Sequence, residues 1–354
     1  MVNLAPFPPH DLLSPTPQGL YCAPGGFYVD PTSPVDRAVI THGHADHARP
    51  GHGAVLATAE TLAIMDARYG AGHAGTTQAE PLGHTVSING VSVTLRPAGH
   101  VLGSAQAVIE FGGTRIVVSG DYKRRSDPTC AAFEPVPCDV FISEATFGLP
   151  VFRHPPTEQE VAKLLTSLKT FPERPHLVGA YALGKAQRII RLLRDAGHDE
   201  PIFLHGALQA LCALYENHGI DLGTVVSAAG QPKAAFNGHI VLCPPSAIAD
   251  RWSRRMEEPV TSFASGWMRV RARARQRGVE LPLIVSDHAD WDELIATIKD
   301  VAPQALWVTH GREDALVHAA EQLGVAAKPL SLVGYGDEDD EDAGPDAIPE
   351  EAGP

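Results

Sequence analysis

Thr41-His42-Gly43-His44-Ala45-Asp46-His47, directly after the apolar run Ala38-Val39-Ile40, puts three histidines and an aspartate into six positions. Histidines two apart project to the same side of an extended or tightly turned backbone. Asp46 and His47 follow at once and point elsewhere, so one loop offers ligands to two cations. Imidazole and carboxylate together suit zinc, and less exclusively manganese or iron. Two such ions roughly 3.5–4 Å apart place a hydroxide against a phosphorus or carbonyl centre. The stretch predicts hydrolysis at a site built on a strand end.

The rest of the 354 residues must house that site. A chain of this length buries a core large enough for one big domain or two interleaved ones. Hydrophobic residues at 44% and charged ones at 20% are ordinary for a soluble globular enzyme. No run of apolar residues approaches the roughly 18 that a membrane helix needs. Met1–His10 has no basic stretch followed by an apolar one, so no secretory signal is expected. The five cysteines form no Cys-x-x-Cys pair and are expected to be buried thiols of a cytoplasmic protein.

The net charge of −14 is concentrated at one end. Asp337–Asp342 is six consecutive acids, Asp346, Glu350 and Glu351 add three, and no Lys or Arg follows Lys328. Without those nine acids residues 1–336 carry about −5. Residues 336–354 are expected to form a disordered acidic tail.

Along the chain, Val91–Leu95 alternates as a half-buried strand. Ala105–Phe111 and Thr114–Ser119 flank Gly112-Gly113, a hairpin signal. Asp139–Ser143 is a further strand, ending at Glu144. Beyond residue 151 strands and helices alternate: helix Glu158–Thr170, strand His176–Ala180, basic helix Lys185–Ala196, strand Ile202–Leu204, helix Gly206–Asn217 and strand Ile240–Cys243. Such alternation implies a parallel α/β subdomain over about 151–280. A strand at Leu283–Ser286, a helix at Trp291–Lys299, a strand at Ala305–Thr309 and a helix at Glu313–Leu323 complete the chain.

A dinuclear site needs more ligands than one loop supplies. His100 lies between Gly99 and Gly103, and Asp121 ends the strand Ile116–Ser119. A carboxylate there can bridge two cations, which an imidazole cannot. This ordered set, His-x-His-x-Asp-His, a lone His, then a strand-terminal Asp, resembles the metallo-β-lactamase superfamily. The resemblance implies an αββα sandwich with His42, His44 and His100 on a first zinc, Asp46 and His47 on a second, and Asp121 bridging them.

Ser143-Glu144-Ala145-Thr146-Phe147-Gly148, Ser286-Asp287-His288-Ala289-Asp290 and Val308-Thr309-His310-Gly311 resemble three further motifs of the β-CASP nucleases, and Gly184-Lys185-Ala186-Gln187 a short motif of their inserted cap. That implies an α/β fold with metallo-β-lactamase lobe segments at 1–150 and 281–335 and a β-CASP cap at 151–280. His310 is assigned to the second zinc. Chemistry supports the other two assignments. Phosphodiester cleavage expels an alkoxide that needs a proton, so a histidine held by a carboxylate suits the role. His288 is read as general acid with Glu144 as its partner, and Asp46 as a neighbour of the hydroxide nucleophile. Two Zn²⁺ ions are expected, with Mn²⁺ suiting the same ligands.

The metal loop alone does not choose among lactams, thioesters and phosphodiesters. Arg269, Arg271, Arg273, Arg275 and Arg277 lie in nine residues with no acid between them. On a helix Arg269, Arg273 and Arg277 share a face, a phosphate-tracking stripe in an acidic chain. Lys123, Arg124 and Arg125, just past Asp121, and Lys185 are also expected to reach phosphates. Trp252 and Trp267 flank the basic segment and are expected to be core.

Gly19–Cys22, Val35–Ile40 and Gly120–Arg124 resemble the compact bacterial ligase-associated DNA exonucleases. That likeness implies a DNA exonuclease in repair, working alongside a DNA ligase and a helicase. His310 points to RNA instead, because a histidine there is commoner in the RNA-processing members. The alternatives are an RNA-processing endo- or exonuclease of the same fold, like the mRNA 3′-end processing factors, a thioesterase or lactonase, or a non-catalytic binding module.

Overall fold

A computed structural model describes residues 5–309, 311 and 313–330. His310 and the 336–354 tail lie outside the described residues. The described chain divides into two compact units, 5–150 with 288–330, and 151–287.

The first unit is built on two sheets. One has the strand order Leu13–Thr16, Gly19–Cys22, Phe27–Val29, Arg37–Val39, His52–Ala57, Ala74–Ala79. The other runs Ala326–Pro329, Ala305–Thr309, Val140–Glu144, Thr114–Val118, Ala105–Phe111, Val91–Pro97, Thr85–Ile88. Gly112 and Gly113 both have positive φ, 57° and 84°, which the tight hairpin between Phe111 and Thr114 requires.

Side-chain alternation shows the layering. Val39 and Leu56 of the first sheet pack with Val93, Ile109, Ile116, Ile142 and Trp307 of the second in one core. Their neighbours Ala38, Ile40, Val55 and Ala57 face the other way, onto Leu62 and Met65 of helix Ala59–Tyr69. On the far side of the second sheet, Val117, Phe141, Leu306 and Val308 pack on Leu294, Ile298 and Val301 of helix Trp291–Val301 and on Leu316 of helix Glu313–Gln322. Both faces of the strands are buried, which is why Ile116–Val118 and Val140–Ile142 read as continuous apolar runs. The layers are helix, sheet, sheet, helix, the αββα sandwich. Helix Ala59–Tyr69 was not read from the sequence; Thr58 caps it by accepting the Thr61 N–H at 3.2 Å.

The second unit is a wholly parallel sheet in the order Val225–Ser227, Ile202–Leu204, Ile240–Cys243, His176–Gly179, Val260–Ala264, Leu281–Leu283. Helices Lys185–Asp195, Gly206–Asn217 and Arg271–Arg277 lie in the crossovers that parallel strands need. The last strand ends at Leu283 rather than running to Ser286. Beyond it the carbonyls of Val285 and Ser286 bond to the Lys185 and Arg188 side chains, at 3.4 and 2.7 Å. The arginine-rich stretch also differs from expectation: its helix spans Arg271–Arg277, and Arg269 sits before it in a 3-10 turn over Gly266–Arg269.

The cysteines form no disulfide. Cys22, Cys212 and Cys243 are buried, and burial pushes the Cys22 thiol up to about 11 and Cys212 to about 12. Cys130 and Cys138 are half-buried, not buried as expected. No helix among the described residues is long and apolar enough to cross a membrane.

Candidate metal centre

Strands Val91–Pro97, Thr114–Val118, Val140–Glu144 and Ala305–Thr309 all run the same way, two of them through the antiparallel strand Ala105–Phe111 between them. Their C-terminal ends therefore share one sheet edge. His100, Asp121 and Glu144 stand on it, and the His42–His47 loop follows strand Arg37–Val39 of the facing sheet. Two glycines allow the crowding. A Cβ on Gly99 (φ +75°) would sit 2.3 Å from the Lys123 carbonyl, and one on Gly120 (φ +56°) 2.7 Å from the Thr41 hydroxyl.

Among the described residues, the sequence-predicted ligands His42, His44, Asp46, His47, His100 and Asp121 converge. His42, His44, His100 and Asp121 form one group, and His42, Asp46 and His47 a second that shares His42. Asp121 Oδ2 lies 3.5 Å from His42 Nε2, 3.4 Å from His47 Nε2 and 3.8 Å from His100 Nε2. His47 Nε2 is also 3.4 Å from Asp46 Oδ2, and His44 Nδ1 faces His100 Nε2 at 3.0 Å. Ligand atoms on one tetrahedral zinc stand about 3.3 Å apart, from bond lengths near 2.0–2.1 Å. The donor set has that spacing.

Tautomers make the same point. Asp30, buried at 3% exposure, accepts the Thr41 N–H at 2.8 Å and the Thr41 hydroxyl at 2.6 Å. The Thr41 oxygen is then the acceptor for His42 Nδ1–H at 3.1 Å. His42 Nε2 keeps its lone pair, is buried, makes no hydrogen bond and faces a carboxylate. Likewise His47 Nδ1 donates to Asp30 Oδ2 at 2.8 Å, turning its Nε2 lone pair toward Asp46 and Asp121. Lone pairs facing carboxylates need a proton or a cation between them. The residues fit a divalent metal.

The charge of these side chains responds to their packing. Burial and the neighbouring His47 hold His42 well below its ordinary value. For His47 burial works downward, but the Asp46 and Asp121 carboxylates outweigh it and hold the imidazole well above 6.5. Burial works upward on Asp121, and His47 and His288 together keep it well below the usual carboxylate range.

His288 stands beside this cluster. Its Nδ1 meets Glu144 Oε2 at 2.9 Å and Oε1 at 3.1 Å, and the ligand atoms of Asp121, Glu144 and His288 lie within 4.8 Å of one another. Glu144 accepts the Tyr122 N–H at 2.8 Å and the Thr146 hydroxyl at 2.5 Å. Burial nonetheless raises Glu144 above its ordinary 4.5, with His288 opposing.

Asp30 is the residue the sequence did not offer. A lone aspartate eleven residues before Thr41 has no motif around it, and its positive φ of 43° is invisible in the sequence. It orients His47 as a carboxylate orients metal-binding histidines.

The expected phosphate contacts separate into two kinds. Lys123 and Lys185 are corrections: they are 2% and 1% exposed. Lys123 Nζ lies 3.5 Å from the His288 carbonyl, and Lys185 Nζ pairs with Asp287 at 3.1 Å. Arg124 pairs with Asp300 at 2.5 Å. Arg269, Arg271 and Arg275 are exposed. Arg273 and Arg277 are half-buried, lying over the Trp267 and Phe263 rings at 3.9 and 5.3 Å. Trp267 is buried against Phe152, and Trp252 half-buried against His205.

Residues 279–328 match the family model of the Zn-dependent metallo-hydrolase RNA specificity domain. A protein of Opitutus terrae named "Probable DNA ligase" is 30% identical over 326 residues, 87% of this chain and 30% of that one. Cleavage and polyadenylation specificity factor subunit 3 of Dictyostelium discoideum is 35% identical over 137 residues, 36% of this chain and 17% of that one. The chain belongs to the β-CASP metallo-β-lactamase family. It spans less than a third of the length of these two relatives. Its β-CASP fold is also similar to the crystal structure of a protein of unknown function from Enterococcus faecalis V583, with a TM-score of 0.57 at 14% identity, covering 84% of this chain and 80% of that one.

Proposed function

We propose that this chain is a metal-dependent phosphodiesterase that degrades nucleic acid, a DNA exonuclease of repair working alongside a DNA ligase and a helicase. The observation that carries the reading is the meeting of a His/Asp cation cluster with the His288–Glu144 pair around Asp121. His42, His44 and His100 would hold one zinc, Asp46, His47 and His310 the other, with Asp121 shared. When bound, the ions supply Lewis acidity toward the phosphoryl oxygens and acidify the water that attacks.

The chain's own residues do the rest. His288 engages Glu144 through Nδ1, so Nε2 is the atom that gives a proton to the departing oxygen. Glu144 stabilises the imidazolium, and the Thr146 hydroxyl and Tyr122 N–H fix its carboxylate. Burial keeps water off this pair, which strengthens its electrostatics. The 151–287 unit acts as the cap, and its exposed Arg269, Arg271 and Arg275 track phosphates.

The Opitutus relative, matched along most of this chain and bearing a DNA-directed name, favours DNA. The name of the matched family model favours the second reading, an RNA-processing nuclease. Matched single-stranded DNA and RNA oligonucleotides, each labelled at one end, test the choice with metal-replete protein and an Asp121→Ala control. Stepwise DNA laddering with little RNA cleavage is expected. Preferential RNA cleavage would establish the second reading.

A further inference from the structure

Residues 121–125 leave the strand Thr114–Val118 without regular structure, yet Asp121, Tyr122 and Lys123 are buried. His288 lies on a second such stretch, between strand Leu281–Leu283 and helix Trp291–Val301. Buried irregular backbone must place its polar groups somewhere. Here the two stretches serve each other. The Ala289 N–H donates to the Tyr122 carbonyl at 2.6 Å, and Lys123 Nζ lies 3.5 Å from the His288 carbonyl. The Arg125 N–H donates to Glu293 Oε1 at 2.7 Å. The Arg125 guanidinium pairs with Asp290 Oδ2 at 2.6 Å and reaches Glu293 Oε1 at 3.8 Å. Asp290 is fully buried and caps the helix at Trp291, in a reciprocal box with Glu293.

We propose that Arg125 is a positioning residue for His288, clamping the Asp290 cap to the stretch that carries Asp121. The inference rests on reading His288 as the acid. Tyr122 already ties that stretch to Glu144 by its N–H and to Ala289 by its carbonyl, so register between acid, partner and metal ligand passes through residues 121–125. The guanidinium closes the far end, two residues from His288. A shift of about 1 Å at His288 would take its nitrogen out of hydrogen-bond range of Glu144, and misplacements of that size cost on the order of 100-fold in rate. A planar fork that spans two acids is not replaced in full by an ammonium.

The test compares Arg125→Ala, Arg125→Lys, His288→Ala and the Arg125→Ala/His288→Ala double variant of the metal-replete chain. Substrates are the oligonucleotide it cleaves faster and bis(p-nitrophenyl) phosphate, whose leaving group departs without a proton. Arg125→Ala should lower kcat on the oligonucleotide by about 10- to 100-fold with KM and metal content held. On the p-nitrophenyl ester the loss should fall below about threefold, because no acid is needed there. Adding Arg125→Ala to His288→Ala should cost less than about threefold more, as expected for residues acting as one unit. Arg125→Lys should be intermediate, and it carries the test should the alanine variant not fold. A rise in KM at constant kcat would make Arg125 a phosphate contact and overturn the proposal. Equal losses on both substrates, or a full further loss in the double variant, would overturn it too. Full oligonucleotide activity in His288→Ala would instead sink the acid assignment itself. A slow His288→Ala beside a fully active Arg125→Ala would sink only this proposal.

Discussion

The strand-end rim of the first unit and the arginine-rich stretch of the second concentrate charge in opposite ways. At the rim, His42, His44, His47, His100 and Asp121 are buried against one another, and their nitrogens and carboxylates point inward. In the stretch from Arg251 to Arg277, Arg251, Arg254, Arg269, Arg271 and Arg275 face solvent. A group of titratable side chains pays a desolvation cost only where something must be held there. The rim has the physics of a cation site, and on the proposed reading the stretch is a surface for a polyanion.

Each side of that contrast can be broken. Removing Asp121 should do the most damage, since its Oδ2 lies within 3.8 Å of three imidazole nitrogens. Asp121→Ala should lose bound metal and more than about 1,000-fold in rate, and elemental analysis with single-turnover hydrolysis checks both. His288→Ala should keep its metal and lose about 100- to 10,000-fold. Equal metal loss in the two variants would merge the roles separated here.

On the exposed side, Arg271→Ala and Arg275→Ala should leave metal and fold untouched and weaken oligonucleotide binding. Each should reduce the slope of log affinity against log salt by about 0.7–0.9, readable in a fluorescence-anisotropy titration. An unchanged slope would make the stretch a solvated helix.

The smallest effect sharpens the buried side away from the metal. His52 Nδ1 accepts the Val35 N–H at 3.3 Å and must be neutral to do so. Burial lowers this imidazole below its ordinary 6.5. The native state therefore binds fewer protons than the unfolded chain just below that pH. Its contribution is full above about pH 6.5 and is lost as pH falls through the lowered native value. Denaturant melts from pH 7.5 to 5 should show a shallower acid slope in His52→Asn than in the parent, and identical slopes would remove His52 from the acid response.

What was legible in the sequence follows the same division. The convergence of the His42–His47 loop, His100 and Asp121 could be read because all stand at strand ends, and strand ends show as apolar runs broken by Gly, His or Asp. The alternation after residue 151 gave the parallel sheet for a similar reason. Asp30 could not be read, because its partners Thr41 and His47 are brought to it only by pairing of Phe27–Val29 with Arg37–Val39. Lys123 and Lys185 misled because a basic residue beside a metal ligand or at a cap motif looks like a phosphate contact. Their burial follows from irregular segments whose carbonyls need donors, and no local pattern in the sequence announces that. The arginines were read correctly as a cluster but not as a single helical face, since Val270 separates Arg269 from the helix.

Metal stoichiometry tests the centre most directly. Inductively coupled plasma mass spectrometry on the purified chain and on Asp121→Ala would count divalent ions per molecule. About two per chain in the parent, with loss in the variant, is the expected result. A parent that binds one ion or none under metal-replete conditions would contradict the paired centre built on Asp121.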